Sequence, residues 1–432
     1  MTGVSGHSAS KTLEHTEASA YHRAAEAART FQILQIGLTC LSHTGYRART
    51  FTFHLTPEFV PPNTALAKLI DRKLVLSYRS FLFLKENNFS FDKAFSQGVP
   101  YLSRSEGAEA IRWEQGGRQQ QGWDGEYKQR HDSIVRQTGK QTPSHTPHLP
   151  GFRYVIEALV GGPFANAIDP ELLMTDDHHN NNNIQGDTNK KAAKLTQLRL
   201  NLRLYEQRLK KRRPVLIGHN PFLDLCFLHE TFLRPLPPDA AAFRRAINKD
   251  FFPRIIDTKY LSSQVPGSRT GKNKNLEQLF YEVVNHKDFS PIVPEPGFDA
   301  RNNGCAAAAH NAGFDSWMTA VVFVGLARKM VMRDSSSLRR GPQGGGGGGI
   351  GKEEAPGSSS GRRRDDGSEL FRELSPFAAG GGSWGSAESG PAAAAAAAAA
   401  AEFIPPWECE VWRKYGNKLR LGGVGGMDLT RW

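Results

Sequence analysis

Little in this sequence would suit a secreted, disulfide-stapled or membrane-spanning protein. Its four cysteines, Cys40, Cys226, Cys305 and Cys409, are scattered without disulfide or metal-ligand spacing. Three of them sit beside apolar residues, as free thiols do in a reducing compartment. The longest apolar run, Met318 to Ala327, is about half of what a bilayer span requires. No secretory leader opens the chain, whose first thirty residues are polar and helix-prone. These absences imply a soluble protein of the cell interior, nuclear or cytoplasmic, with no membrane partner. Apolar residues are also scarce, at 39% of 432, and the 43 glycines are unevenly placed. One sizeable core interrupted by unstructured inserts is therefore expected.

Positive charge is what the chain has in excess. A net charge of +12 and a pI near 9.5 favour a polyanionic partner, although a basic surface also serves solubility alone. Residues 13–29 have helical composition and lead into apolar, β-rich residues 31–41; a second strand over 49–55 follows a short turn, so the two strands are expected to pair antiparallel. Residues 62–97 read as mostly helical, anchored by Phe81, Phe83, Phe89, Phe91 and Phe95. Two polar inserts, near 107–148 and 176–189, have little to bury. The second holds His178 and His179, but adjacent histidines in a polar tract lack the fixed surroundings that orient a metal-binding imidazole.

Lys190 to Arg213 reads as one basic helix, ending in Lys210, Lys211, Arg212 and Arg213 and stopped by Pro214. After it come a short buried strand in PVLIGHN, an apolar helix containing Asp224, a strand over Phe252 to Leu261 and a helix over Asp315 to Met330. Residues 335–401 are rich in Gly, Ser and Arg and close in polyalanine, the composition of a disordered linker. Residues 403–432 regain aromatic anchors and are expected to return to the core.

Two patterns carry chemistry. Gly218-His219-Asn220 follows a buried strand, with Asp224 one helical turn further on. His310 and Asp315 stand five residues apart at the start of a helix. Asp315 has an ordinary alternative role as a helix N-cap; Asp224 in an apolar helix is harder to dismiss, because a buried carboxylate is costly unless paired or metal-bound.

In this order, and with FQILQIGLTC, FTFHL, NNFSFDKAFSQGVPYLSR, GFRYVIEALVGG and FPRIIDTKYL around them, the two patterns resemble the DEDD exonuclease superfamily, and within it the poly(A)-specific ribonuclease family of DEDDh type. The resemblance covers most of residues 1–330. It implies an α/β fold, a ribonuclease-H-like mixed sheet flanked by helices, with a two-metal site built for Mg²⁺. Asp224 and Asp315 would be metal ligands, and His310 would orient and deprotonate the attacking water. Asp257 also falls in a family-like block, where a structural hydrogen bond is its expected role. The implied substrate is RNA, in particular 3′ poly(A) tails, with Lys210, Lys211, Arg212 and Arg213 candidates for phosphate contacts. A homodimer is the implied assembly.

The pattern is incomplete. The family's first motif, Asp-x-Glu on the sheet's central strand, has no counterpart; Met1-Thr2-Gly3 looks like the residues just after it, as a start site chosen too late would leave. Glu14, Glu17 and Glu26 lie on a predicted helix, and Asp124 and Glu126 in WDGEY have no apolar run to build a strand. Two readings of function follow. One is a tail-shortening 3′→5′ exoribonuclease, impaired in this chain; the other is an inactive relative that binds RNA or a partner as a scaffold.

Overall fold

The computed structural model describes residues 16–42, 47–56, 74–108, 151–174, 187–265, 274–286, 292–298, 311–339, 404–405, 407–421 and 425–431. Helix α1 (Glu17–Thr30) starts at Thr16, whose hydroxyl accepts from Ser19 N while the Ser19 side chain bonds back to Thr16 N. That exchange satisfies two N–H groups the helix leaves open. Four alanines of α1 are buried with Tyr21, a small-residue face that lets α6 (Phe222–Leu228) pack close.

Strands β1 (Gln35–Leu41) and β2 (Arg47–His54) pair antiparallel in the register Gln35↔His54 to Leu41↔Ala48, as the sequence pattern leads one to expect. Two short helices follow, α2 (Tyr78–Glu86) and α3 (Phe91–Ser96), then α4 (Arg153–Val160). The basic helix α5 (Asp187–Lys211) packs on α4 through Leu202, Tyr205 and Leu209. Strand β3 (Leu216–Gly218) leads into α6, followed by α7 (Ala240–Ala246). Next come β4 (Ile255–Asp257), α8 (Thr258–Gln264), α9 (Leu276–Val284) and the two-residue β5 (Val293–Pro294). The chain continues through α10 (Ala312–Arg339), α11 (Glu410–Tyr415) and the antiparallel hairpin β6 (Lys418–Leu421) and β7 (Gly425–Asp428).

The architecture is mixed α/β, the expected class, but the described strands form three small sheets in place of one. Their orders are β1-β2-β5, β3-β4 and β6-β7, with β3 parallel to β4. Two elements differ from the sequence reading. The strand expected over Phe252 to Leu261 stops at Asp257, because the Asp257 carboxylate accepts from Lys259 N and caps α8 there. Helix α10 runs past Met330 to Arg339, into the first residues assigned to the linker; no Gly or Pro falls between Met330 and Gly341.

Two hydrophobic cores flank these strands. One gathers α1, α4, α6 and α7 around Phe227, Phe232, Phe243 and Phe251, and includes Leu419, Leu421 and Met427 of the C-terminal hairpin. The other packs α9, α10 and α11 together through Val283, Phe323 and Trp412. Helix α10 lies across β1, β2 and β3, and its first turn sits very close to the sheet. A Cβ added at Gly37 would be 1.7 Å from the Ala312 carbonyl oxygen, and one at Gly313 would be 2.0 Å from Thr52 Oγ1. Only glycine fits at either position.

Candidate functional site

The turn between β3 and α6 is fixed by hydrogen bonds at each residue. Asn220 takes a left-handed conformation, with φ of 56°, which asparagine tolerates better than other residues with a Cβ. Its N–H donates to Asp257 Oδ1 at 2.9 Å. The Thr258 hydroxyl lies 3.1 Å from the Gly218 carbonyl and 2.9 Å from His219 Nδ1. That hydroxyl has one hydrogen for the two neighbours: if it serves Gly218, His219 Nδ1 donates to it, and if it serves His219, Nδ1 accepts. Burial, with Lys259 nearby, pushes the His219 pKa down to about 4, so its ring is neutral at ordinary pH.

Asp224 is placed in the first turn of α6 by this turn and is half-buried. Burial raises its pKa above the usual carboxylate range. Among the described residues no side chain hydrogen-bonds or ion-pairs with its carboxylate. A carboxylate so placed is costly to keep charged unless it is paired or metal-bound.

The second block begins α10. Asn311 Oδ1 accepts from Gly313 N at 3.0 Å and Phe314 N at 3.2 Å, so Asn311 caps the helix. Asp315, half-buried in the first helical turn, is therefore not needed as the cap. The Ala312 N–H donates at 3.0 Å to the buried side chain of Gln35, whose amide also meets His54 Nε2 at 3.0 Å. Together with Gly37 and Gly313, this contact fixes the start of α10 over β1. His310 lies outside the described residues, as do Asp124, Glu126, His178 and His179.

Asp224 and Asp315 thus stand on two helices that share β3: α6 leaves from its end, and α10 packs along it. Oxygen-donor carboxylates of this kind fit a hard divalent cation. Two of them fall short of a cage, and among the described residues no three His, Cys, Asp or Glu side chains are grouped to hold a metal. Lys210 and Lys211 end α5, and Arg212 and Arg213 connect it to β3; all but the half-buried Arg213 are exposed. Among the described residues no helix is long and apolar enough to cross a membrane.

Sequence reasoning did not find Gln35 or Thr258. A buried glutamine inside an apolar strand carries no signal of its partner, and Thr258 reads as ordinary helix-start chemistry.

Residues 1–323 match the profile of the CAF1 family ribonucleases. The chain is similar to the pre-piRNA 3′-exonuclease trimmer of Bombyx mori, 26% identical over 348 residues that cover 73% of this chain and 63% of the relative. It is also similar to the poly(A)-specific ribonuclease PNLDC1 of Homo sapiens, 22% identical over 357 residues, 72% of this chain and 64% of the relative. A third relative is the poly(A)-specific ribonuclease PARN of Xenopus laevis, 21% identical over 373 residues, 76% of this chain and 58% of the relative. The chain spans less than two thirds of the length of each.

Proposed function

Because the chain belongs to the CAF1 family ribonucleases, we propose that it is the nuclease region of a 3′→5′ exoribonuclease that shortens poly(A) tails. The observation that carries this reading is the half-buried carboxylate of Asp224, with which no described side chain pairs, held one helical turn beyond a tightly bonded strand-to-helix turn. Asp224 and Asp315 would bind divalent cation, Mg²⁺ by their hard oxygen chemistry. A bound cation pair would supply charge neutralisation at the scissile phosphate and acidify the attacking water. His310 would take that water's proton, since imidazole titrates near working pH. Lys210, Lys211, Arg212 and Arg213 would hold phosphates of the incoming strand.

A complete site needs more carboxylate than these two residues provide. Among the described residues β1 pairs only with β2, and β3 pairs only with β4. A strand bearing Asp-x-Glu and lying between these two edges would complete both the sheet and the ligand set. The second reading is an inactive relative that binds RNA or a protein as a scaffold. For a homodimer, the exposed apolar run Leu74, Val75, Leu76, Tyr78 and Phe81 is a candidate face.

The test is a labelled oligo(A) and a matched single-stranded DNA incubated with Mg²⁺ and the chain, alone and preceded by an Asp-x-Glu strand. Stepwise shortening of the RNA from its 3′ end is expected, abolished by Asp224→Ala with the thermal transition unchanged or higher. Hydrolysis that survives Asp224→Ala overturns the assignment. Failure of both proteins to cut, with RNA still bound, supports the scaffold.

A further inference from the structure

The carboxylate of Asp257 belongs to neither the acidic pair nor the proposed proton acceptor, yet three parts of the chain converge on it. It is 1% exposed. Its Oδ1 accepts from Asn220 N at 2.9 Å and Lys259 N at 2.8 Å, and its Oδ2 accepts from Arg420 N at 2.7 Å. A helix cap needs only the Lys259 bond. The other two bonds join the β3–α6 turn to the C-terminal hairpin. The hairpin is seated beside β4 by a second device: Asn417, at φ 54°, accepts from Ile255 N through its side chain and donates its own N–H to the Ile255 carbonyl, both at 2.8 Å. Its side-chain amide also donates to the Pro253 carbonyl at 2.9 Å.

We propose that Asp257 is a positioning residue through which the C-terminal hairpin sets the site: β6 grips the carboxylate, and the carboxylate holds the Gly218–Asn220 turn that launches Asp224. A carboxylate held by three backbone N–H groups from separate parts of the chain can move only by breaking one of these bonds. Loosening β6 therefore loosens the turn. The functional part of this inference rests on the exonuclease reading; the mechanical part does not.

Amide hydrogen exchange at Asn220 tests it directly. Arg420→Pro removes the hairpin's donor to Asp257, an N–H that points to the carboxylate and away from β7, together with the Arg420 side chain. In that variant the Asn220 amide is expected to exchange at least fivefold faster. Asp257→Asn gives an independent version: its Oδ1 still serves Asn220 and Lys259, but its amide N–H₂ faces the Arg420 N–H, two donors without an acceptor. The same acceleration is expected there. Leu84→Ala on α2 is the control for general destabilisation and should leave Asn220 within twofold of the parent. Exchange at Asn220 within twofold of the parent in both latch variants, or equally accelerated in Leu84→Ala, overturns the proposal. In the oligo(A) assay the latch variants are expected to lower kcat tenfold or more, with KM within threefold, and to raise the Mg²⁺ concentration for half-maximal rate. If the parent cuts nothing, the exonuclease reading falls and the exchange result still decides the latch.

Discussion

At His229 the fold holds an imidazole where charge is hardest to accept. The ring is 1% exposed, packs edge-on to Phe243 and Phe251, and finds no hydrogen-bond partner for Nδ1 among the described residues. Burial, with Arg234 nearby, depresses its pKa to about 4. Between the unfolded value near 6.5 and that folded value, the unfolded chain binds the proton and the folded one does not. Stability therefore falls as pH drops through the window, by about 3 kcal/mol for this residue. His229→Phe is expected to remove that share of the slope, read as the difference in urea midpoints between pH 7 and pH 4.5. His219, depressed to a similar value, contributes in the same direction and stays in the variant. Neither shift could be seen in the sequence, where both histidines sit beside ordinary polar neighbours. Asp224 was visible only as a carboxylate in the wrong company; that nothing described pairs with it required the fold.

Among the elements, the start of α10 depends on absent side chains. Gly37→Ala places a methyl group 1.7 Å from the Ala312 carbonyl oxygen, and backbone cannot give way as a flexible side chain can. The expected cost is about 1 to 3 kcal/mol from overpacking, measured as a lower denaturant midpoint, with activity falling further than stability because Asp315 is displaced with the helix. Alternation of apolar residues made the β1–β2 hairpin legible, and the unbroken apolar pattern made α10 legible. Where the sequence misled, a local polar contact decided: Asp257 caps α8 and ends β4 four residues sooner than the apolar pattern suggests. Element boundaries follow such single hydrogen bonds, which composition does not reveal.

Taken as a whole, the molecule is strongly basic, at +12, and its α5 carries a dense set of cations toward β3. If Lys210, Lys211, Arg212 and Arg213 each neutralise a phosphate, the logarithm of RNA affinity should fall with the logarithm of salt at a slope of about −3. Replacing all four with glutamine is expected to flatten that slope toward zero while leaving the thermal transition in place. Charge and block order are the sequence features on which the proposed RNA partner rests. The closing of the fold by its C-terminal hairpin was legible only as a return of aromatic residues, because Asn417 imitates a strand with one side chain and its own backbone.

That imitation has a consequence for synthesis in the cell. Ile255 meets the Asn417 side chain across 162 residues of chain, which a ribosome takes roughly 8 to 30 s to make. Throughout that interval the nascent β4 stands with its outer row of amides and carbonyls uncovered, and the turn before Asp224 lacks its far anchor. The core is thus finished only after the segments bearing Asp224 and Asp315 have emerged.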